Sequence, residues 1–271
     1  MDTKDLFQQS RRRIWQKWSI AFRIMPTVLM VILLKFLAHH YKFEVMELNA
    51  LFTSLVAATI FLIGFLISGV LSDYKESEKI PSELTSTLKT MFDDTCGIYQ
   101  MKKSETALQF IEFQKTFVDS IFYWFYKKER THSILQKITL MTNYFVKLDN
   151  EGLQVNYIIK LKNEQHNLRK MILRIDTIRD TEFAKSAYAI VEAMGFFIAI
   201  GLIIMKIEPF YASLFFTVLV TFLIFYMFLL IKDLDNPFDY SENGEGGTEI
   251  SLKPFHDFEN ELKNFKINID L

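Results

Sequence analysis

Apolar residues are concentrated in two blocks of the chain, near residues 20–72 and 186–231, with a highly charged stretch between them. A helix needs about 20 apolar residues to cross the hydrocarbon of a bilayer. Each block is long enough for two such helices joined by a short link. The pattern therefore predicts an all-α membrane protein with four transmembrane helices, at residues 19–38, 49–72, 186–205 and 210–231.

The two helices of the first hairpin differ in polarity. The first span contains Arg23, Pro26 and Lys35. We expect both cations to extend along the apolar surface to the membrane interface, because they lie near the two ends of the span. The second span carries no charge at all.

The distribution of Lys and Arg around the spans predicts the orientation. Basic residues are concentrated before the first span and after the second, at Lys4, Arg11, Arg12, Arg13, Lys17, Lys75, Lys79 and Lys89. The short links inside the two hairpins carry only Lys42 and Lys206. Positive charge marks the cytoplasmic side of a membrane protein. We therefore expect a plasma (inner) membrane protein with both termini in the cytosol.

The charged stretch between the hairpins retains helical periodicity, which predicts amphipathic helices. They are drawn at Ser77–Lys102, Glu105–Lys128, Ser133–Leu148 and Gln154–Asp180, with breaks near Gly97, Thr131 and Asn150–Gly152. Spans two and three are expected to continue into this region without interruption. The chain is thus interpreted as one domain with a cytosolic arm (1–18), a first hairpin (19–72), a cytosolic helical region (73–184), a second hairpin (185–232) and a cytosolic tail (233–271).

Composition excludes several classes of function. A formal net charge of −1 gives no case for a nucleic-acid partner. Cys96 is the single cysteine, so no intramolecular disulfide forms, and we interpret it as an ordinary core residue. The sequence shows no nucleotide-binding glycine loop, no HExxH, no paired cysteine ligands and no nucleophile elbow. An enzyme is the least favoured class, and no cofactor is required.

Glu192 is the one acidic residue inside a predicted span. Uncompensated in hydrocarbon it would be costly, so it should face protein, water or a cation such as Lys35. A structural pairing and a role in an ion path are both consistent with the sequence. His39 and His40, at the outer end of span one, could respond to pH or pack at the interface.

The segment after span four carries a weak metal-binding pattern. Asp239 to Gly244 begins like a calcium loop, but its twelfth position is Ile250, where a bidentate Glu is required. A solvated linker is the better interpretation. Calcium bound by Asp235, Asn236 and Asp239 is kept as an alternative. Farther along, Phe238, Phe255 and Phe258 are expected to anchor the tail on the cytosolic region of its own or a neighbouring subunit.

Two motifs resemble the bestrophin family. Residues Ile60–Ser72, reading IFLIGFLISGVLS and followed by Asp73-Tyr74-Lys75, are similar to the second membrane helix of bestrophins, and Ile80-Pro81 is similar to a proline-containing segment shortly after it. Asp235–Asp239 (DNPFD) is similar to the Asn-Pro-Phe segment that follows their last span. The order of elements also agrees, most closely with the bacterial members. The continuous acidic run of animal bestrophins is missing, so calcium activation is not carried over.

The resemblance implies an ion channel, a homopentamer in which the second helix of every subunit lines a central pore. It implies that Phe61 and Phe65 project into a narrow hydrophobic neck, with Ala57 one turn before them. Residues four apart lie on one face of a helix. From the residues alone, lipid-facing or packed aromatic side chains would be the alternative.

The polar residues of span two leave the sign of the permeant ion open. Ser54, Ser68 and Ser72, with Thr53 and Thr59, could donate hydrogen bonds to a halide or coordinate a cation. An anion such as chloride is slightly favoured over a cation as the permeant inorganic ion. A different class of function, a non-conducting membrane scaffold or sensor whose cytosolic helices bind a partner, is also compatible with the sequence.

Overall fold

The computed structural model describes residues 3–181, 185–240 and 248–265, with the backbone alone for residues 3–17. The described part is dominated by helices, which confirms the predicted fold class. In chain order the elements are α1 (Thr3–His40), β1 (Met46–Glu47), α2 (Ala50–Ser77), α3 (Ile80–Lys102), α4 (Glu105–Phe125), α5 (Thr131–Asn150), α6 (Val155–Asp180), α7 (Lys185–Ile204), β2 (Met205–Lys206), α8 (Phe210–Asp235) and α9 (Lys253–Asn264).

The chain forms two compact units. The first, here called the membrane unit, contains α1, α2 as far as Tyr74, α7, α8 and the two strands. The second, the polar unit, contains α3 to α6, residues 237–240, and the described chain from Glu249 with α9. The borders after Tyr74 and Thr181 lie within a few residues of the predicted borders at 72 and 184.

Among the described residues, 4 helical segments are long and apolar enough to cross a membrane, as predicted. The predicted arm and first span form one continuous helix, α1, with Pro26 inside it. A proline removes one backbone hydrogen bond from a helix. Neighbouring helices and local adjustment make this tolerable in a membrane span.

The expected uninterrupted rod from span two into the polar region is wrong, and the same expectation for span three falls on residues 182–184, which lie outside the described residues. Helix α2 ends at Ser77, and a turn at Glu78 and Lys79 separates it from α3. Pro81 explains the break, because proline lacks the backbone N–H that a continuing helix would need and instead suits a first turn. It occupies the first turn of α3, as predicted.

The short links of the two hairpins pair with each other. Strands β1 and β2 are parallel, with Met46 opposite Met205 and Glu47 opposite Lys206. Sequence reasoning did not predict this ladder, because two residues are too few to show strand periodicity. The ladder joins the ends of the hairpins within the membrane unit.

Packing inside the membrane unit uses one face of each helix. The face of α2 formed by Ile63, Leu66 and Val70 is buried in a cluster with residues of α7 and α8, including Val191 and Ile224. A second cluster joins α1 to α8. Membrane helices approach closely where small residues lie at the contact. Gly195 and Gly201 of α7 are such positions.

Gly201 fits only because it has no side chain. A Cβ atom built there would lie 2.4 Å from the ring of Phe52, so Gly201→Ala must displace that ring. We expect a loss of about 1–3 kcal/mol, seen as a lower melting temperature in detergent. Gly97→Ala is the matched control, because a Cβ there meets nothing within 4 Å. Equal losses in both variants would contradict the close approach of α7 to Phe52.

The helices of the polar unit follow the predicted ones closely, with one error. The break expected near Gly97 is wrong, since α3 continues through this residue to Lys102. The buried positions of α3 extend past it to Ile98, so the apolar face holds the helix together. The helix ends where Lys103 takes a left-handed conformation (φ 50°) and Ser104 caps α4 by accepting a hydrogen bond from the Ala107 N–H.

The tail packs on the polar unit of its own chain. Phe238, Phe255 and Phe258 are buried, as predicted for anchors. The Phe255 ring meets Phe125 edge-on at 5.7 Å, and Phe258 meets Phe92 at 6.4 Å. The aromatic cluster at 121–126 supplies part of this core, with Ile121, Trp124 and Phe125 buried.

Candidate functional site

Six of the predicted site residues lie in one exposed stripe along α2: Ser54, Ala57, Phe61, Phe65, Ser68 and Ser72. Their spacing of three or four residues follows the helical repeat, so the side chains project from the same side of the helix. Phe61 is 77% exposed and Phe65 68%. The stripe mixes a central aromatic pair with a hydroxyl group near each end.

The opposite face of α2 is fully used by the membrane unit. Thr59, Ile63, Leu66 and Val70 are each no more than 2% exposed. The exposed stripe is therefore the side of α2 that faces away from its own subunit. In a lone protomer that side would contact lipid, and in an assembly it would contact water or other copies.

The hydroxyl groups at the start of α2 are oriented by the backbone. Ser54 donates to the carbonyl of Ala50 at 2.8 Å, and Thr53 donates to that of Asn49 at 3.1 Å. A hydroxyl carries one proton and two lone pairs, so these groups present acceptor oxygens on their outward sides. Thr59 is buried and donates to the carbonyl of Leu55. At this end of the stripe the Ser54 hydroxyl therefore has its proton engaged by the backbone and its oxygen available as an acceptor.

The proposed pairing of Glu192 with Lys35 is wrong. Glu192 is exposed on α7, whereas Lys35 is completely buried, with Nζ 2.5 Å from the carbonyl oxygen of Met205 and 3.3 Å from that of Ile203. Ile203 lies eleven residues after Glu192, which is roughly 16 Å along a helix. The Lys35 side chain is therefore enclosed by its own subunit and does not extend along an exposed apolar surface. It caps the carbonyl end of α7, where a cation is stabilised.

Glu44 completes a cluster that sequence reasoning missed. One carboxylate oxygen lies 2.7 Å from Lys35 Nζ, and the other lies 2.8 Å from Nδ1 of His39. The His39 ring also stacks on Phe210 at 4.0 Å, which is the interfacial packing considered for this residue. His40 is exposed and meets the ring of Tyr41. Glu44 lies in the link after α1, five residues after His39 and nine after Lys35, and this spacing has no helical or strand periodicity. Only the presence of an acidic residue near a lysine of the span could have suggested the contact.

This cluster gives the stability of the protein a dependence on pH. Burial by itself raises the pKa of Glu44, but hydrogen bonds from His39 and Lys35 outweigh it and hold the pKa below the ordinary value of 4.5. A lowered pKa stabilises the fold above the unfolded value, and that stability is lost as pH falls through the folded one. We expect the melting temperature to drop below about pH 4.5 more steeply in the wild type than in Glu44→Gln. Parallel curves would contradict a role for Glu44.

The metal-binding alternative gains little from the structure. Asp239 is exposed and forms an ion pair with Lys127. The Oδ1 atom of Asn236 is buried and accepts no hydrogen bond from a described residue. Among the described residues no group of three or more His, Cys, Asp or Glu side chains could hold a metal ion. Calcium binding involving Asp235 stays a prediction, and titrating calcium while recording the melting temperature tests it.

Cys96 has the character predicted for a core residue. It is partly buried in α3, and burial raises the pKa of its thiol to about 11. A thiol with a high pKa is a poor nucleophile at neutral pH, because the thiolate is the reactive form.

Comparison with known proteins identifies the fold. The chain matches a crystal structure of a bacterial bestrophin homologue from Klebsiella pneumoniae, solved by zinc phasing, with a TM-score of 0.69 and 16% identity, over 90% of this chain and 97% of that one. A variant of that homologue matches with a TM-score of 0.71 and 14% identity, over 91% and 100%. A structure described as a membrane protein variant matches at 0.71 and 16%, over 93% and 100%.

These likenesses define the class of protein: a multi-pass membrane protein with the bestrophin-like fold. The resemblance seen in the sequence is therefore confirmed at the level of fold. No family model matches the sequence, and no curated protein sequence matches it.

Proposed function

We propose that the chain is a subunit of an oligomeric ion channel in the membrane. The observation that carries this proposal is the stripe on α2, in which Phe61 and Phe65 are exposed while the opposite face of the same helix is buried. The bestrophin-like fold supports it, because the matched structures include bacterial bestrophin homologues. The proposal needs neither an enzymatic step nor a cofactor.

In the proposed assembly five copies of α2 surround the pore, and the two phenylalanines form its neck. A narrow apolar constriction does not hold a continuous water column, so this ring would gate by dewetting. Aromatic edges are electropositive, which lets an anion pass when the edges point inward. Anion conduction is therefore slightly favoured. Ser54 supports the alternative of a cation channel with the same fold, because its outward oxygen is an acceptor.

The proposed orientation places both termini and the polar unit in the cytosol, below the plasma membrane. The basic arm before Trp18 and the lysines after Ser72 support it, since positive charge accumulates on the cytoplasmic side. The paired links β1 and β2 would then lie on the outer side of the membrane.

A planar bilayer containing the purified protein tests conduction and ion sign together. Under a gradient of potassium chloride we expect a current whose reversal potential shifts toward the chloride equilibrium value. A shift toward the potassium value would replace the anion assignment by the cation alternative. If protein that is folded and oligomeric gave no current under any voltage, the channel proposal would fail.

A non-conducting scaffold or sensor is the rival function. An open groove on the polar unit supports it, lined by charged and polar side chains from α6 and the start of α3, including Lys79, Glu83, Lys170 and Arg174. Native mass spectrometry separates the two proposals. A pentamer favours the channel, whereas a monomer or dimer favours the scaffold.

A further inference from the structure

Glu192 occupies an unusual position in the membrane unit. It lies eight residues into α7, on the exposed face of the helix, and no described residue pairs with it. A carboxylate facing lipid at this depth would cost several kcal/mol. Acids inside spans normally face protein or water instead. Within the described part of its own chain Glu192 has no partner, so protein of a neighbouring molecule or water has to compensate its charge.

The register between α1 and α7 shows which residues share this depth. Helix α7 ends at Ile204, directly before β2, and α1 ends at His40, a short link before β1, and the two strands pair in parallel. The Lys35 contacts with the carbonyls of Ile203 and Met205 fix the register. Arg23 lies twelve residues before Lys35 on α1, and Glu192 lies twelve residues before Ile204 on α7. Both are therefore roughly 18 Å from the level of the Lys35 contacts.

Arg23 has donors to spare at this level. Its side chain is 60% exposed, and a single nitrogen, Nη1, donates to both oxygens of Asp233 at 3.2 Å. A guanidinium carries five N–H donors in a planar fork. The remaining donors of Arg23 reach no described residue. Side chains on both helices tilt toward the helix N-terminus, so Arg23 and Glu192 extend in the same direction along the membrane normal.

We propose that Glu192 of each protomer accepts hydrogen bonds from the partner subunit's Arg23, which also holds its own Asp233. The occupant of this face is thus a second copy of the chain, and the inference rests on the proposed oligomeric channel. Because different residues meet from the two sides, the contact is heterologous, the type of contact that forms a ring when its rotation closes. Glu192 and Arg23 lie at the same depth, and in the assembly each would be covered by the subunit that carries the other. Their pairing removes the free-energy cost that either charge would have alone in hydrocarbon.

Crosslinking tests the contact directly, since Cys96 is the only native cysteine. In a Cys96→Ala background, Arg23→Cys and Glu192→Cys are combined and treated with a short bifunctional thiol reagent in the membrane. We expect most of the protein to run as a ladder of covalent multimers. The control pairs Glu192→Cys with Leu37→Cys. Leu37 is exposed on α1, fourteen residues after Arg23, which is roughly 21 Å farther along the helix. It should give no ladder.

A second measurement uses the native cysteine background. Arg23→Gln and Glu192→Gln should each shift the concentration at which the oligomer dissociates, and the double variant should shift it no further than one of them. Additive shifts would overturn the pairing, as would Arg23–Glu192 crosslinks confined to single chains. If the wild type is an oligomer that conducts but the variant with cysteines at 23 and 192 gives no ladder, this inference alone is overturned, because Glu192 and Arg23 would then meet lipid or water. A wild-type monomer would overturn the proposed function with it.

Discussion

Replacing Phe61 and Phe65 together by alanine is expected to raise the single-channel conductance several-fold. The physical reason is dewetting: a wider neck without aromatic rings holds a continuous water column, so the main barrier to the ion disappears. The fold of the protomer should be unaffected, because the two side chains are 77% and 68% exposed and make little of its core. Single-channel recordings of the double variant and wild type in planar bilayers measure the change.

Phe215→Ala is the matched control for this prediction. Phe215 is 61% exposed on α8, so its loss changes the exposed apolar surface of a span without touching α2. Its conductance should equal that of the wild type. If the double variant on α2 were indistinguishable from this control, the two phenylalanines would face lipid and the proposed neck would be abandoned.

The second large effect is expected from Lys35→Ala. The substitution removes a completely buried cation, leaves the carbonyls of Ile203 and Met205 without their donor, and leaves Glu44 with His39 as its remaining partner. Removing one partner of a buried ion pair costs about 3–5 kcal/mol, because an uncompensated charge stays in the interior. We expect a strongly lowered melting temperature and reduced yield of folded protein from membranes.

Lys206→Met is the matched control, because it removes the charge of an exposed lysine, whereas Lys35→Ala removes the charge of a buried one. Lys206 pairs with Glu208, but both side chains are more than half exposed, so water screens this pair and its loss should change stability little. The double variant Lys35→Met/Glu44→Gln should recover part of the loss, because it leaves no buried ion. A Lys35→Ala protein as stable as Lys206→Met would contradict the role of Lys35 as the cap of α7.

Much of the fold could be predicted because its signals are local. Four apolar runs gave the spans, and helical periodicity placed the polar-unit helices to within a few residues. The failures occurred where the deciding contact is distant in sequence. Lys35 looks like an interfacial lysine until α7, 168 residues later, supplies carbonyls for it. Gly97 looks like a break, but the buried face of α3 outweighs its poor helix propensity.

The candidate site was predictable only in part for a different reason. The spacing of Phe61 and Phe65 placed them on one face, and the structure shows which face is turned away from the subunit. For Glu192 the sequence offered a partner in the same chain, and that partner is engaged elsewhere. A side chain whose partner lies in another copy of the chain produces no signal in the periodicity of its own helix.

The packing of the first helix of the membrane unit against segments from late in the chain has a consequence for synthesis. Helix α1 packs against α8, and its lysine is capped by carbonyls 168 and 170 residues downstream. At ordinary elongation rates the first hairpin must wait roughly 10–30 s in the bilayer before those segments emerge from the ribosome. During that interval Glu44, in the link of the same hairpin, can compensate the charge of Lys35. Chains that stop before α7 lack the carbonyl oxygens that Lys35 caps in the folded protein.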